Sequence, residues 1–465
     1  MNIIKKVFFG ALAILTLASC EKELNQNDPA LFSDANAFLN LADVQLGTNA
    51  AYGRYGAYLN DIYTSALTSD EAKIGAGNNG QGALTYRYQY TSDATAGGDV
   101  TAAYGAYYSM IDQINRVLPN VLTVPAAAGE EPRRNILRGQ LLALRGIAYL
   151  SLLELYSPRY SPSEPLGVQL VTVSNPTAFP ARSTQAQVLT QIEADLATAK
   201  GLLPTVTSGT FFDTTMNRVN IAAYQARVAL YKQEFASAIG FATEVISSNV
   251  KPISTGAAFA NIWTDAGDAE TLFRIRYATS VALGGLFTTT GGLIYIAPSD
   301  KLVASYSASD IRRAAYIGTV GSDNFVNKYF QSSRGGRVVD MKCIRISEMY
   351  LIRAEAYAKL SSPNLAGASA DINLIRANRI SGASPVNYLT SALAIDDILL
   401  EKFRELAFEG LRFKDLKRNN LPVMRLASDA GANWQTLPAS SHLFTYPIPI
   451  SEILANPNVV PNPGY

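Results

Sequence analysis

Residues 345–375 read RISEMYLIRAEAYAKLSSPNLAGASADINLI, and they give the clearest indication of the fold. It contains two runs of mostly apolar side chains that recur every three to four residues, which is the period of one helix face. The runs are Ile346, Tyr350, Arg353, Tyr357 and Leu360, then Leu365, Ala368, Ile372 and Ile375. Ser-Ser-Pro-Asn at 361–364 interrupts the pattern, so the stretch predicts a helical hairpin.

The same plan is repeated along the chain. Helix-period patterns cover 135–156 and 183–203, and a second hairpin is predicted over 221–245. A last long helix is predicted from Asp396-Asp397, whose carboxylates suit a helix N-terminus, to Arg418. Small residues stand where the paired helices would cross, at Ala226, Ala238, Ala354 and Ala368. Pairs of about 34 residues with such crossings are typical of tetratricopeptide-like repeats, so the predicted fold class is mostly α.

Between the helical pairs lie segments rich in Gly, Ser, Thr and Asn, namely Gly75–Gly98, Val250–Pro298 and Ser381–Tyr388. These predict long loops with short strands. Loops of this length in a compact protein are usually functional, so a binding surface is expected on them. We therefore predict one body over 20–465, with a helical scaffold at about 100–250 and 340–420 and a loop-rich binding region at about 70–100 and 250–300.

Composition excludes several classes of function. The 465 residues carry 39 Lys and Arg against 38 Asp and Glu, so the chain lacks the positive surplus that nucleic-acid binding needs. One His and two Cys cannot supply the three or four ligands of a zinc site, and no metal or other cofactor is expected. The neighbours of Cys343, which are Met341, Ile344 and Ile346, predict a buried and unreactive thiol.

The N-terminus reads as an export signal. Lys5 and Lys6 precede an apolar run, 7–18, that is too short for a resident membrane helix. The run ends in Leu-Ala-Ser-Cys at 17–20, which resembles the lipobox of bacterial lipoproteins. That resemblance implies a signal peptide over 1–19 and acylation of Cys20, which would anchor the protein to a membrane that it does not cross. An ordinary signal peptide, with Cys20 incidental, is the alternative.

Motifs for catalysis are weak. Gly75-Ala-Gly-Asn-Asn-Gly80 has the spacing of a dinucleotide-binding loop but lacks the strand before it and the helix after it, so a flexible loop is predicted. Asp70 and Glu71 are adjacent and would not face each other across a glycosidic bond. The only histidine, His442, lies in a Pro- and Ser-rich segment. We predict no catalytic residue.

The last predicted helix carries Glu401, Glu405 and Glu409 at a spacing of four residues. Lys402, Arg404 and Arg412 are interleaved with them. The pattern predicts a salt-bridged helix face with a structural role.

Tyrosine is the more suggestive residue type, with 25 Tyr, 18 Phe and only two Trp. A tyrosine offers a flat apolar face with a polar edge, which suits stacking on sugar rings. Tyr86, Tyr88 and Tyr90 alternate with Arg87 and Gln89, as in an edge strand. Such a strand could present its tyrosines to a ligand or pack them inward, and both interpretations stay open.

Four segments together resemble the SusD/RagB family, in addition to the lipobox cysteine. They are GQLLALRGIAY at 139–149, RISEMYLIRAEAY at 345–357, RELAFEGLRFKDLKR at 404–418, and the closing YPIPISE at 446–452 with NPGY at 462–465. The resemblance spans essentially the whole chain. It implies a lipid-anchored protein on the outer-membrane surface of Bacteroidota, in which four tetratricopeptide-like pairs support a loop-rich region.

The resemblance also implies a role. Members of this family bind nutrients without turning them over, capture oligosaccharide or, in some branches, peptide, and pass it to a TonB-dependent, SusC-like transporter. Starch-binding members hold their ligand with aromatics that include tryptophans, but the corresponding stretches here, 74–100 and 276–298, contain no Trp. The candidate ligand residues are Tyr86, Tyr88, Tyr90, Tyr277, Phe287 and Tyr295. Glycan uptake is the first interpretation, peptide uptake the second, and a surface glycoside hydrolase the third.

Overall fold

The computed structural model describes residues 37–277, 283–289 and 291–465. The predicted signal peptide and Cys20 lie outside the described residues. Within the described part, helices dominate and the strands are short, so the predicted mostly α fold class is confirmed.

Sixteen α-helices are described in these ranges. They are α1 Leu41–Arg54, α2 Tyr58–Thr68, α3 Ala83–Tyr86, α4 Ala94–Thr123, α5 Glu131–Tyr156, α6 Gln185–Leu202, α7 Arg218–Tyr231, α8 Phe235–Ser247, α9 Gly256–Trp263, α10 Asp300–Ser305, α11 Ile311–Tyr316, α12 Ile346–Lys359, α13 Leu365–Arg379, α14 Ser391–Glu405, α15 Arg412–Arg418 and α16 Ile450–Ala455. Short 3₁₀ turns at Tyr55–Ala57, Gly284–Leu286, Asn327–Tyr329, Ala432–Trp434 and His442–Phe444 connect some of them.

The strands form two-stranded antiparallel sheets. They are β1 Ala72–Ile74, β2 Thr271–Ile275, β3 Ile296–Pro298, β4 Ile317–Val320, β5 Asp323–Val326, β6 Gln331–Ser332, β7 Gly335–Gly336, β8 Met341–Arg345, β9 Val423–Met424 and β10 Thr436–Leu437. The pairs are β1 with β3, β2 with β8, β4 with β5, β6 with β7, and β9 with β10.

Helical pairs form the scaffold, as the periodicity predicts. Helix α4 packs on α5, α5 on α6, α7 on α8, and α12 on α13, while α8 also packs on α12. Glycine permits one close crossing, because a Cβ on Gly139 of α5 would lie 3.2 Å from the Ala199 carbonyl oxygen of α6. Helix α5 is long and apolar enough to cross a membrane, but 89% of its apolar window is buried inside the protein, so it is the central core helix.

Local sequence sets the helix starts. Thr184 caps α6, where its side chain accepts from the Gln187 backbone while the Gln187 side chain accepts from the Thr184 backbone. Asn217 and Asn220 form the same reciprocal box at the start of α7. These caps satisfy backbone N–H groups that have no partner within the helix.

The predicted long helix over 396–418 is wrong in its bounds. Helix α14 begins at Ser391, capped by Thr390, and ends at Glu405, and the chain then turns before α15 begins at Arg412. Phe408 and Gly410 take left-handed backbone angles of φ +61° and +80° in the turn. Gly410 also lies against α2, where an added Cβ would be 3.1 Å from the Asp61 backbone. The turn lets one sequence motif contribute to two helices.

Charged side chains fill part of the interior where the scaffold meets the loop-rich region. We call this group the arginine cluster: Arg312, Arg345, Arg379, Glu270, Glu401, Glu405 and Glu409. Their side chains are between 0% and 4% exposed. Buried charges are tolerated only when they are paired and hydrogen-bonded, and here guanidinium and carboxylate groups alternate.

The salt-bridged, structural role predicted for the glutamates of α14 and the following turn is therefore confirmed. Glu401 pairs with its sequence neighbour Arg404 at 3.6 Å, but the other partners of these glutamates come from separate elements. Glu405 pairs with Arg345 of β8 and Arg379 of α13, and both partners are buried. Lys402 instead pairs with Glu355 of α12. The glutamates face the interior and tie separate elements together.

Candidate functional site

The two segments predicted to bind ligand lie against each other. Strand β1 pairs with β3 in the register Ala72 with Pro298 and Ile74 with Ile296. Beyond the strands, the Gly75 amide donates to the Tyr295 carbonyl oxygen and the Gly77 amide to that of Ile294, each at 2.9 Å. We call the described surface of residues 75–90 and 283–298 the loop face.

Glycine is required where these segments meet. A Cβ on Gly75 would lie 2.2 Å from the Ile294 carbonyl oxygen, so only glycine permits the approach. Asn78 fixes the glycine-rich loop further, because its side-chain amide donates to the carbonyl oxygens of Gln81 and Tyr295. The expectation that no strand precedes the GAGNNG segment and no helix follows it is wrong, since β1 ends at Ile74 and α3 begins at Ala83. The segment serves as a close packing element against residues 283–289 and 291–298.

The expectation of an edge strand at Tyr86, Tyr88 and Tyr90 is wrong. Residues Ala83–Tyr86 form helix α3, and Tyr88 takes a left-handed backbone with φ +58°. The alternation of side chains that a strand would give is therefore absent from this described segment. The helix follows Gly82, whose φ of +65° reverses the chain into it.

Three of the predicted ligand residues lie in the core. Tyr86 is 3% exposed, and its hydroxyl donates to the Asp429 carbonyl oxygen at 2.8 Å. Tyr90 is 2% exposed and donates to the Leu443 carbonyl oxygen. Phe287 is 1% exposed and packs against Tyr63, Tyr329 and Phe408. These side chains support the loop face from beneath, so a ligand on the surface cannot stack on them.

The other three predicted residues, Tyr88, Tyr277 and Tyr295, are half-buried. The Tyr88 hydroxyl donates to the Thr68 carbonyl oxygen at 3.2 Å. Tyr295 anchors the glycine-rich loop through its backbone and is partly exposed. Tyr277 lies at the end of β2, with its amide donating to Asp340 and its carbonyl accepting from Arg334.

Sequence reasoning missed one aromatic residue at this site. Trp434 is half-buried, belongs to the C-terminal segment, and lies beside the loop that carries Tyr86 and Tyr88. The Arg87 guanidinium is 5.1 Å from the centre of its indole ring. Arg425 links the two segments, since it donates to the carbonyl oxygens of both Tyr86 and Trp434. No local signal marks Trp434 as part of this site, because Arg87 lies 347 positions earlier in the chain.

The adjacent carboxyls Asp70 and Glu71 are both interior. Asp70 accepts from Arg412 and Lys301, and these cations outweigh burial and lower its pKa to about 2. Glu71 accepts from the Phe408 amide at 3.2 Å, and burial raises its pKa to about 8. Neither carboxyl reaches the surface where an oligosaccharide could bind.

Across residues 37–277, 283–289 and 291–465, no group of three His, Cys, Asp or Glu side chains could hold a metal ion. Cys343 is 2% exposed, and burial raises the pKa of its thiol. The thiol donates to the Met341 carbonyl oxygen, so it is a packed side chain of strand β8.

Comparisons with known proteins agree with this architecture. A family model described as the SusD family matches residues 298–465, and one described as starch-binding and associating with the outer membrane matches residues 23–230. A SusD-like protein of Formosa agariphila is 23% identical over 496 residues, covering 90% of this chain and 91% of that protein.

Solved structures share the fold over nearly their full length. A proposed sugar-binding protein from Bacteroides vulgatus has a TM-score of 0.80 at 25% identity, covering 92% of this chain and 99% of that one. A SusD superfamily protein from Bacteroides thetaiotaomicron has a TM-score of 0.80 at 24% identity, covering 91% of this chain and 100% of that one. These likenesses show the fold. The two family models, which together match residues 23–230 and 298–465, show that the chain belongs to the SusD family, which is associated with the outer membrane.

Proposed function

We propose that this protein is a lipid-anchored binding protein of the cell surface that captures an oligosaccharide and delivers it to a TonB-dependent outer-membrane transporter. The observation that carries the proposal is the loop face, where two distant segments are locked together by β1, β3 and the glycine-rich loop. A rigid framework under half-exposed aromatics is what a sugar-binding surface requires, because stacking needs rings held in place. The family description as starch-binding supports the same ligand class.

We propose three residues as the aromatic platform: Tyr295 on the loop face, Trp434 beside it at Arg87, and Tyr277, which follows strand β2 outside the loop face. These rings are partly exposed, unlike Tyr86, Tyr90 and Phe287, which are buried beneath the surface. Trp434, from the C-terminal segment, supplies the tryptophan that the two predicted ligand segments do not contain. Tyr88 belongs to the supporting layer, since its hydroxyl is bonded to the end of α2.

The test is calorimetry on the purified protein with a panel of neutral oligosaccharides, including maltoheptaose, and a tryptic casein digest. We expect Tyr295→Ala, Tyr277→Ala or Trp434→Ala to weaken oligosaccharide binding by about five- to 150-fold, which corresponds to about 1–3 kcal/mol per stacked ring. Phe212→Ala is the matched control, because Phe212 is an exposed aromatic, 67% accessible, outside the loop face. Wild-type affinity in all three platform variants would place the ligand elsewhere.

The same samples separate the rival functions. Binding of casein peptides without any oligosaccharide would favour peptide uptake, in which backbone groups of an extended chain are recognised. Release of shorter sugars that follows the protein through purification would show a glycoside hydrolase. We expect the bound oligosaccharide to remain intact. Delivery is tested by whether a TonB-dependent barrel co-purifies with the tagged full-length chain from its native outer membrane.

A further inference from the structure

A second concave site lies in the helical scaffold, away from the loop face. Its inner part is a cavity of about 50 Å³, enclosed by side chains from α5, α7, α12, α14 and α15. Its outer part is an open groove of about 570 Å³, and Arg159, Gln233 and Arg418 line both parts. We call the two together the basic funnel.

Positive charge is in excess on the walls of the inner cavity. Six cationic side chains line it, namely Arg159, Arg227, Lys402, Lys414, Lys417 and Arg418, against three carboxylates, Glu154, Glu348 and Asp415. Each of the three carboxylates already accepts from a lining cation: Glu348 from Arg227, Glu154 from Lys414 and Asp415 from Arg418. Glu355 and Asp61, which do not line the cavity, also pair with Lys402, Arg418 and Lys414. The excess positive charge on the wall therefore belongs to Lys417 and Arg159.

Two of the cations bond backbone oxygens instead of a carboxylate. The Lys417 ammonium donates to the carbonyl oxygens of Glu154 and Ser157, at 2.8 and 2.6 Å. Arg159, at the mouth, donates to the carbonyl oxygens of Lys417 and Ala439. Burial lowers the pKa of Lys417 to about 7, which is the response of an ammonium group removed from water without a full counter-charge.

A tyrosine whose buried hydroxyl has no partner among the described residues lines the same cavity. Tyr231 is 7% exposed, and its Oη has no hydrogen-bond partner among the described residues. Such groups are rare in native proteins and cost about 1–3 kcal/mol when left unsatisfied, so a missing partner inside the cavity is expected. The cavity has room for a partner of this hydroxyl, because its volume of about 50 Å³ exceeds the about 10–15 Å³ that one water needs.

We propose that the basic funnel binds an oxoanion, with Tyr231, Lys417 and Arg159 as donors. The anion is either a free inorganic ion or the phosphate, sulfate or carboxylate group at the end of a small ligand, whose remainder would occupy the outer groove. A negative group supplies the counter-charge that Lys417 and Arg159 lack, and it supplies an acceptor for the Tyr231 hydroxyl. Charge-assisted hydrogen bonds of this kind are strong. The proposal is independent of the ligand on the loop face.

The experiment is calorimetric titration of the full-length protein with sodium phosphate and sodium sulfate, at constant ionic strength set by chloride. Glucose 6-phosphate tests the end-group source, with glucose as its neutral control. Saturable binding of phosphate or sulfate supports the free ion, and binding of glucose 6-phosphate alone supports the end group. No saturable binding of any of these anions would overturn the proposal, because water would then fill the cavity.

Tyr231→Phe is the decisive variant, since it removes a hydroxyl that has no partner and should leave folding intact. We expect anion affinity to fall about tenfold or more while the thermal unfolding midpoint stays unchanged or rises. Tyr224→Phe is the matched control on the same helix, because the Tyr224 hydroxyl bonds Tyr55 at 3.1 Å. That control should lower the unfolding midpoint and leave anion affinity unchanged.

A second pair of variants tests the mouth of the funnel. Arg159→Gln should weaken anion binding, whereas Arg313→Gln, at an exposed arginine of α11, should not. Equal anion affinity in wild type, Tyr231→Phe and Arg159→Gln would refute the assignment of these donors and overturn the proposal.

Discussion

Replacing Glu405 by Gln tests whether the arginine cluster holds the fold together. The Glu405 carboxylate is fully buried and accepts from Arg312 at 3.2 Å, Arg345 at 3.0 Å and Arg379 at 2.9 and 3.0 Å. Burial alone would raise the pKa of Glu405, but the charges of Arg379 and Arg345 hold that pKa well below its usual range. Glutamine keeps the shape but removes the charge, so three guanidinium groups lose a counter-ion inside the protein.

Removing one partner of a buried ion pair costs about 3–5 kcal/mol, because the other charge is left uncompensated. We expect that loss in the free energy of unfolding of Glu405→Gln at pH 7. Glu244→Gln is the matched control, since Glu244 pairs with Lys200 at a helix surface and its side chain is 48% exposed. Exposed pairs contribute less than about 1 kcal/mol, so the two variants should differ severalfold.

Urea denaturation followed by tryptophan fluorescence measures both variants. The contribution of Glu405 is fully present above the pKa of an unfolded glutamate, about 4.3, and is lost as the pH falls through the lower folded value. The difference in the free energy of unfolding between wild type and Glu405→Gln should therefore persist from pH 8 to pH 5 and decrease only at lower pH. Equal costs for Glu405→Gln and Glu244→Gln at pH 7 would refute the reasoning.

Two further predictions concern Glu71 and Cys20. Because burial raises the pKa of Glu71 to about 8, the free energy of unfolding of the wild type should fall as the pH rises from about 4.3 to 8, by at most about 1.4 kcal/mol per pH unit. Glu71→Gln should flatten this decline, which urea midpoints measure at each pH. A variant less stable than wild type at pH 8 would contradict the prediction. Cys20→Ala should release the protein from the membrane fraction by removing its acyl chains, and membrane association that persists in cells lacking the partner transporter would refute the anchor.

The helical part of the fold could be predicted because its signal is local. Periodicity and Pro-containing breaks mark α5, α6, α7, α8, α12 and α13, and the structure places these helices within a few residues of the patterns. The end of α14 could not be predicted from the sequence, since Phe408 takes a left-handed backbone conformation that its residue type does not favour. Tertiary contacts hold it there, because its amide donates to Glu71, 337 positions earlier in the chain.

The candidate site was less predictable, because exposure depends on contacts far along the chain. Tyr86 and Tyr90 bond to backbone oxygens of Asp429 and Leu443, more than 340 positions later, and nothing in their own segment indicates that burial. Trp434 joins the loop face by the same long-range packing. Composition could show that aromatics are abundant, but only the tertiary fold separates rings under the surface from rings on it.

The motifs that reveal the family describe the interior and leave the ligand open. Glu355 in the 345–357 motif is buried and pairs with Arg418 in the 404–418 motif, whose side chain is 10% exposed. Arg145 in the 139–149 motif pairs with Asp195 of α6, also in the interior. A buried charge needs its partner, so such positions tolerate little change, whereas half-exposed rings on a loop can vary with the ligand. For this chain, the motifs therefore identify the scaffold and the outer-membrane family, and the proposal of an oligosaccharide ligand has to be tested at Tyr277, Tyr295 and Trp434.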